Sequence, residues 1–164
     1  MRLISRLMIA GAAAAILTGA AWSQQPDSQI LSRSTEFQKI GEKQLAAGNF
    51  KEAEDALETA LAVDPRNRAA FVDMGRVALH QKLFGKSIRL TNKALQLEPN
   101  DVDAIAVQGE AMVELGALPR AKANLAKLQH LCPSGCAQLS SRTEAITRGP
   151  AVASAKTPES PKAN

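Results

Sequence analysis

The sequence predicts an all-α fold: a right-handed helix-turn-helix solenoid of three repeated units closed by a C-terminal capping helix. Three observations carry that expectation. Gly41, Gly75 and Gly109 stand 34 residues apart, Pro65, Pro99 and Pro133 keep the same step, and so do Phe37, Phe71 and Ile105. A period of about 34 residues with an aromatic, a Gly and a Pro at fixed offsets is the signature of stacked helix pairs. The chain's 164 residues leave room for one domain of this kind.

The first residues read as a targeting segment. Arg2 and Arg6 are basic, Leu7 to Ala21 is almost wholly apolar, and Ala21-Trp22-Ser23 supplies small residues for a peptidase. A membrane span needs about 20 apolar residues, more than this Ala-rich run offers, so residues 1–23 are expected to be a signal peptide. No Cys follows the run, which argues against lipid anchoring, and its character looks bacterial, so the expected destination is the periplasm or beyond. Residues 24–34 are polar, without a period, and are expected to be a leader.

A helical domain is expected over 35–147, with units at 34–67, 68–101 and 102–135. In the first unit Phe37, Ile40, Gly41 and Gln44 share one helix face, and Ala47-Gly48-Asn49 breaks the helix. The second helix, from about Lys51 to Val63, has Ala53, Leu57, Ala60 and Leu61 as its stripe, and Asp64-Pro65 ends it. The second unit repeats this with Phe71, Met74, Gly75 and Ala78, then Ser87, Thr91, Ala94 and Leu95, ending at Glu98-Pro99. The third runs through Ile105, Gly109 and Met112 to Leu115-Gly116. It continues through Ala121, Leu125 and Leu128 to Cys132-Pro133, with Pro119 opening its last helix. Residues 136–147, with Leu139 and Ile146 on one side, fit a helix that caps the stack. Residues 148–164, rich in Pro, Ala, Ser and Lys, are expected to be a disordered tail.

Charge excludes two classes of partner. The formal net charge is +4, and without Arg2 and Arg6 18 basic residues face 16 acidic ones, a net of +2. Signs alternate along the helices and no basic block is interleaved with aromatics. Neither nucleic acid nor an anionic membrane is expected as a partner.

At these positions the chain resembles the tetratricopeptide repeat family, over about residues 34–135. Phe37, Gly41, Phe50, Ala53, Ala60 and Pro65 match its pattern in the first unit, and Phe71, Gly75, Phe84, Ser87, Ala94 and Pro99 in the second. Gly109, Ala121 and Pro133 keep the third in register, with Ile105, Leu118 and Leu128 as softer substitutes. Gln44 and Gln108 depart from the pattern, standing where apolar groups are usual. Either they reach solvent at the edge of the array or they bond across a helix pair.

The resemblance implies a concave face lined by the first helix of each unit, and a protein-binding role for it. That face would present Gln38, Glu42 and Leu45, then Val72, Arg76, Leu79 and His80, then Asp103, Ala106, Glu110, Val113 and Glu114. Leu45, Val72, Leu79 and Val113 would form an apolar strip bordered by charge. A subgroup of the family grips a peptide carboxylate with Lys, Asn and Arg. Here Gln38, Glu42, Val72 and Arg76 stand at those places, so that clamp is absent. The leader or the capping helix is an alternative occupant of the groove.

One sequence feature carries chemistry of its own. Cys132-Pro133-Ser134-Gly135-Cys136 places two thiols around a tight turn in a chain expected to reach an oxidising compartment. A disulfide between Cys132 and Cys136 is the expected state. The alternative is a thiol or metal-handling site that adds His130, since imidazole and two thiolates suit copper or zinc. No phosphate loop, HExxH or nucleophile–base set is present, so no catalytic residue and no cofactor are assigned. The expectation is a non-enzymatic periplasmic adaptor or assembly factor that binds another protein or a peptide segment.

Overall fold

The computed structural model describes residues 29–136, which form six helices. These are α1 (Ser32–Ala46), α2 (Phe50–Val63), α3 (Arg68–His80), α4 (Phe84–Leu97), α5 (Val102–Glu114) and α6 (Leu118–Leu131). No strand occurs among the described residues. The expected signal peptide, the start of the leader, the capping helix beyond Cys136 and the tail lie outside them.

Each unit is a helix pair, α1 with α2, α3 with α4 and α5 with α6, and each pair stacks on the next. The turn inside each unit is the same hydrogen-bonded motif three times. Asn49, Leu83 and Ala117 donate their N–H to the carbonyls of Gln44, Ala78 and Met112, at 2.8–2.9 Å. One residue earlier, Gly48, Lys82 and Gly116 donate to Leu45, Leu79 and Val113 and take positive φ of 79°, 61° and 73°. This pair of bonds around a left-handed residue is the Schellman helix stop. Between units, Asp64 and Glu98 leave the helix extended, and their carbonyls accept from Asn67 and Asp101. Asn67 and Asp101 then cap the next helix, accepting from the N–H of Ala70 and Ala104.

The leader ends earlier than its polar composition predicts. α1 begins at Ser32, and Ser34 is fully buried. Its hydroxyl donates to the Ala60 carbonyl at 2.7 Å and accepts from Asn67 Nδ2 at 2.9 Å, so a short polar chain ties α1 to α2 and α3. The Leu31 N–H donates to Asp64 Oδ2.

Burial follows position in the stack. α3 and α5 are covered on several sides, while α1 and α6 bury only two residues each. Ile40, expected on an inner face, is 48% exposed. Its equivalents Met74 and Gln108 are buried because they meet the second helix of the preceding unit, which Ile40 lacks among the described residues. The same reason separates the two glutamines. Gln44 stays at the edge and accepts from Asn49 Nδ2, whereas Gln108 is buried and bonds across the helices. Its Nε2 donates to Asn92 Oδ1 at 2.7 Å and its Oε1 accepts from Asn124 Nδ2 at 3.1 Å.

Candidate functional site

α3 packs against both α1 and α5, so the first helices make a continuous face. A polar chain crosses it. Gln38 Nε2 donates to Asp73 Oδ2 at 2.5 Å, Arg76 Nη1 donates to Asp73 Oδ1 at 2.5 Å, and Arg76 Nη2 donates to Asp103 Oδ1 at 2.8 Å. One residue from each first helix is therefore fastened through α3. Asp73 was not among the residues expected here, although it precedes Arg76 by one helical turn. It is only 2% exposed, and burial pushes its carboxyl up, against the pull of Gln38 and Arg76 and with the help of Glu42.

Two concavities flank Arg76. The smaller, about 210 Å³, is lined by Gln38, Glu42, Arg68, Val72, Asp73 and Asp103. The larger, about 470 Å³, is lined by Leu79, His80, Phe84, Glu110 and Glu114, with Lys82 at its edge. The His80 ring stacks on Phe50 with centroids 5.2 Å apart and planes at 16°, which joins α3 to the start of α2.

The expected apolar strip is not a surface feature. Val72 is 3% exposed and packs on Ala94, Ala104 and Val107, while Val113 is 1% exposed and packs on Met112 and Ala121. Leu45 is half-buried against the core around Leu57. The neighbouring helices close over these residues because α3 and α5 are flanked on both sides. Leu79 alone of the four lines the larger concavity. Phe84 and Lys82 join it from the next turn. The period marked Phe84 as a repeat position, but nothing in the sequence placed it beside Leu79.

At the far end of the array, Cys132 and Cys136 follow α6 with Cα atoms 5.8 Å apart and sulfurs in contact, within the span of a disulfide. His130, in the last turn of α6, is exposed and does not converge on them. No group of three or more His, Cys, Asp or Glu side chains comes together to hold a metal among the described residues. No helix among those residues is long and apolar enough to cross a membrane.

Residues 44–92, from the end of α1 into α4, match the family model of the tetratricopeptide repeat. The fold is that of a tetratricopeptide-repeat array. No curated protein matches the sequence. Among solved structures, the first tetratricopeptide domain of Spaghetti (RPAP3), bound to the HSP90 peptide SRMEEVD, is similar with a TM-score of 0.65 and 22% identity. That match covers 75% of this chain and 95% of that one. The TPR2B domain of yeast Sti1, in complex with an Hsp70 peptide, has a TM-score of 0.66 and 15% identity over 72% and 98% of the two chains. The Sgt2 domain from Aspergillus fumigatus has a TM-score of 0.66 and 18% identity over 77% and 82%.

Proposed function

We propose that the chain is a non-enzymatic adaptor, exported from the cytoplasm, that holds a segment of another protein against its first-helix face. The observation that carries this reading is the larger concavity. Leu79 and Phe84 offer apolar contact there, and Arg76, Glu110 and Glu114 offer charge around it. A recessed apolar patch within a polar border suits an extended segment or one helical turn of a partner. Arrays of this fold in RPAP3 and Sti1 were solved holding peptides, which supports the same use here.

Gln38, Glu42, Arg76, Leu79, His80, Asp103 and Glu110 line the two concavities and are proposed as contacts. Val72, almost wholly buried, lines the smaller concavity beside them, and Leu45 and Val113 pack into the core. The reading includes export, from the order of basic, apolar and small residues over 1–23. It also includes a closed Cys132–Cys136 bridge that staples the end of α6. The intact mass of the exported protein should lack residues 1–23, and reduction should raise it by about 2 Da.

The groove is tested by placing a photo-crosslinking residue at His80, which is exposed, and at Glu58, which is exposed on α2. A discrete adduct from position 80 and none from position 58 is the expected result. Equal adducts from both positions would sink the groove reading. Arg76→Glu is a poor probe, because it would set a third carboxylate beside Asp73 and Asp103 and disturb the fold as well.

A further inference from the structure

The second helices carry an asymmetry of charge that the balance of the whole chain conceals. α4 holds Lys86, Arg89 and Lys93, α6 holds Arg120, Lys122 and Lys127, and neither helix contains an Asp or a Glu. Signs therefore do not alternate there. The compensating acids stand on α2, where Glu52, Glu54, Asp55 and Glu58 accompany a single cation, Lys51. The repeat aligns the change: Glu52, Lys86 and Arg120 occupy one position in successive units, and Thr59, Lys93 and Lys127 another. Lys86 pairs with Glu54 of α2. The other five cations are exposed, and none of them pairs with a carboxylate among the described residues. Lys127 donates to the Pro99 carbonyl at 2.6 Å, which fixes its position and leaves its charge uncompensated. Carboxylates of the flanking helices serve the other face. Asp73 and Asp103 hold Arg76, Asp101 holds Arg68, and Glu110 and Glu114 line the larger concavity. Glu98, just past α4, accepts from the Asn100 N–H, and counting it still leaves those five cations against one acid.

The two basic helices are held as a pair. Both pack on α5, and Gln108 of α5 joins them. Its Nε2 donates to Asn92 Oδ1 on α4, and its Oε1 accepts from Asn124 Nδ2 on α6. Asn92 adjoins Lys93 and Asn124 stands one turn before Lys127, so this bridge sets one basic row against the other. The outer faces offer little to a bilayer or to bases. The exposed large apolar side chains among the described residues are Leu31, Ile40, Leu83 and Leu115, none of them within α4 or α6. Stable membrane attachment takes buried apolar surface as well as charge. Phe84, half-buried, is the one aromatic residue of the two helices, so no ring stands out for stacking. We infer that the outer surface of α4 and α6 docks an acidic segment of a partner protein, whose Asp or Glu side chains pair with Arg89, Lys93, Arg120, Lys122 and Lys127. An uncompensated excess of one sign steers a partner of the other. The surface shares no residue with the linings of the two concavities and does not depend on the groove holding a segment.

The experiment is fluorescence anisotropy on the full exported chain with two synthetic probes, a short Glu/Ser peptide and a Lys/Ser peptide of the same length. The Glu/Ser probe should bind saturably and the Lys/Ser probe should not. Its Kd should weaken about ten-fold between low and high salt, as ion pairing at an open surface does. Lys93→Gln with Lys127→Gln should weaken it about ten-fold with unchanged circular dichroism. Lys39→Gln with Lys43→Gln, which removes the same charge from exposed positions on α1, should leave it alone. Ala123 is exposed on α6 at the repeat position of Arg89. Ala123→Lys should tighten binding about two-fold or more and Ala123→Glu should weaken it, a reversal at one position that damage to the fold does not produce.

Failure of the Glu/Ser probe to bind, or equal binding of both probes, would overturn the inference. So would equal weakening by the α1 pair, since binding would then follow net charge and not this surface. Phosphatidylglycerol vesicles test the rival anion: co-sedimentation that is lost with Lys93 and Lys127, without capture of the Glu/Ser probe, would assign the face to lipid headgroups and defeat the proposal. Carbodiimide treatment of the chain alone identifies two further occupants. A bond from Lys93 or Lys127 to Glu144 or Glu159 would assign the face to the chain's own C-terminal segment, and a crosslinked dimer would assign it to a second copy. Either result defeats the proposal. The groove is judged separately, by the crosslink from position 80.

Discussion

A methyl group added at Gly41 would sit 2.5 Å from Leu57 Cγ and 3.2 Å from the Ala53 carbonyl oxygen, so something there must move. At Gly75 the nearest atom is Thr91 Cγ2 at 3.0 Å, and at Gly109 it is Asn124 Cβ at 3.6 Å, an ordinary contact. The three glycines look alike in the sequence but differ in what crowds them. Gly41→Ala is expected to lower stability by about 1–3 kcal/mol through overpacking. Gly109→Ala should raise it by up to about 1 kcal/mol, since Ala is the better helix former. Gly75→Ala should fall between. Urea midpoints for the three variants check the order, and equal losses at 41 and 109 would refute it.

Two buried carboxylates give opposite pH dependences. The Arg66 guanidinium, with the N–H groups of Arg66 and Leu31, holds the Asp64 carboxyl down to about 2 against the cost of burial. That contribution is fully present above the usual carboxylate value of about 3.9 and is lost as pH falls toward 2. Asp64→Asn should therefore be less stable than wild type at neutral pH, with the gap shrinking in acid. Asp73 is shifted up by burial, so its contribution is greatest in acid and is lost as pH rises through its folded pKa. Asp73→Asn should remove that decline. Unfolding measured from pH 2 to 7 separates the two (a range about the ordinary carboxylate value).

The element scale is governed by the three identical turns. Each needs a left-handed residue, and the second unit supplies Lys82, at φ 61°, where the others supply Gly48 and Gly116. A side chain in that region costs about 1–2 kcal/mol, which glycine escapes. Lys82→Gly is expected to raise the thermal midpoint, and Gly48→Ala or Gly116→Ala to lower it. A fall on Lys82→Gly would mean that the lysine side chain contributes more to the fold than its backbone costs. The other element-scale finding concerns the start of α1. A run of Ser and Arg reads as leader in the sequence. Ser34 is nonetheless buried, because Asn67 and the Ala60 carbonyl reach it from two other helices. Local composition holds no record of partners 33 and 26 residues away.

Across the whole molecule, each unit completes the core of its neighbour. Ala53, Leu57 and Ala60 of α2 pack with Ala70, Met74 and Val77 of α3. Ala60 is fully buried at this junction, so Ala60→Trp should cost about 1–3 kcal/mol or more and loosen α3 along with its own pair. Amide exchange should show lost protection in α3; loss confined to α1 and α2 would mean the units are energetically separate. The sequence by itself determined the helix pairs and their register. A step of 34 residues and the Gly and Pro stops are local properties, repeated three times over. It also marked Gln38, Glu42, Arg76, Leu79 and Glu110 for the first-helix face. Only the tertiary structure decided which of those residues stay reachable, because burial depends on what stands on either side. Val72 and Val113 disappear between flanking helices, Ile40 stays open with no helix pair before it among the described residues, and Gln108 finds its partners on α4 and α6. Asp73 joins the site for the same reason, since its value there comes from Gln38 and Arg76 on two different helices.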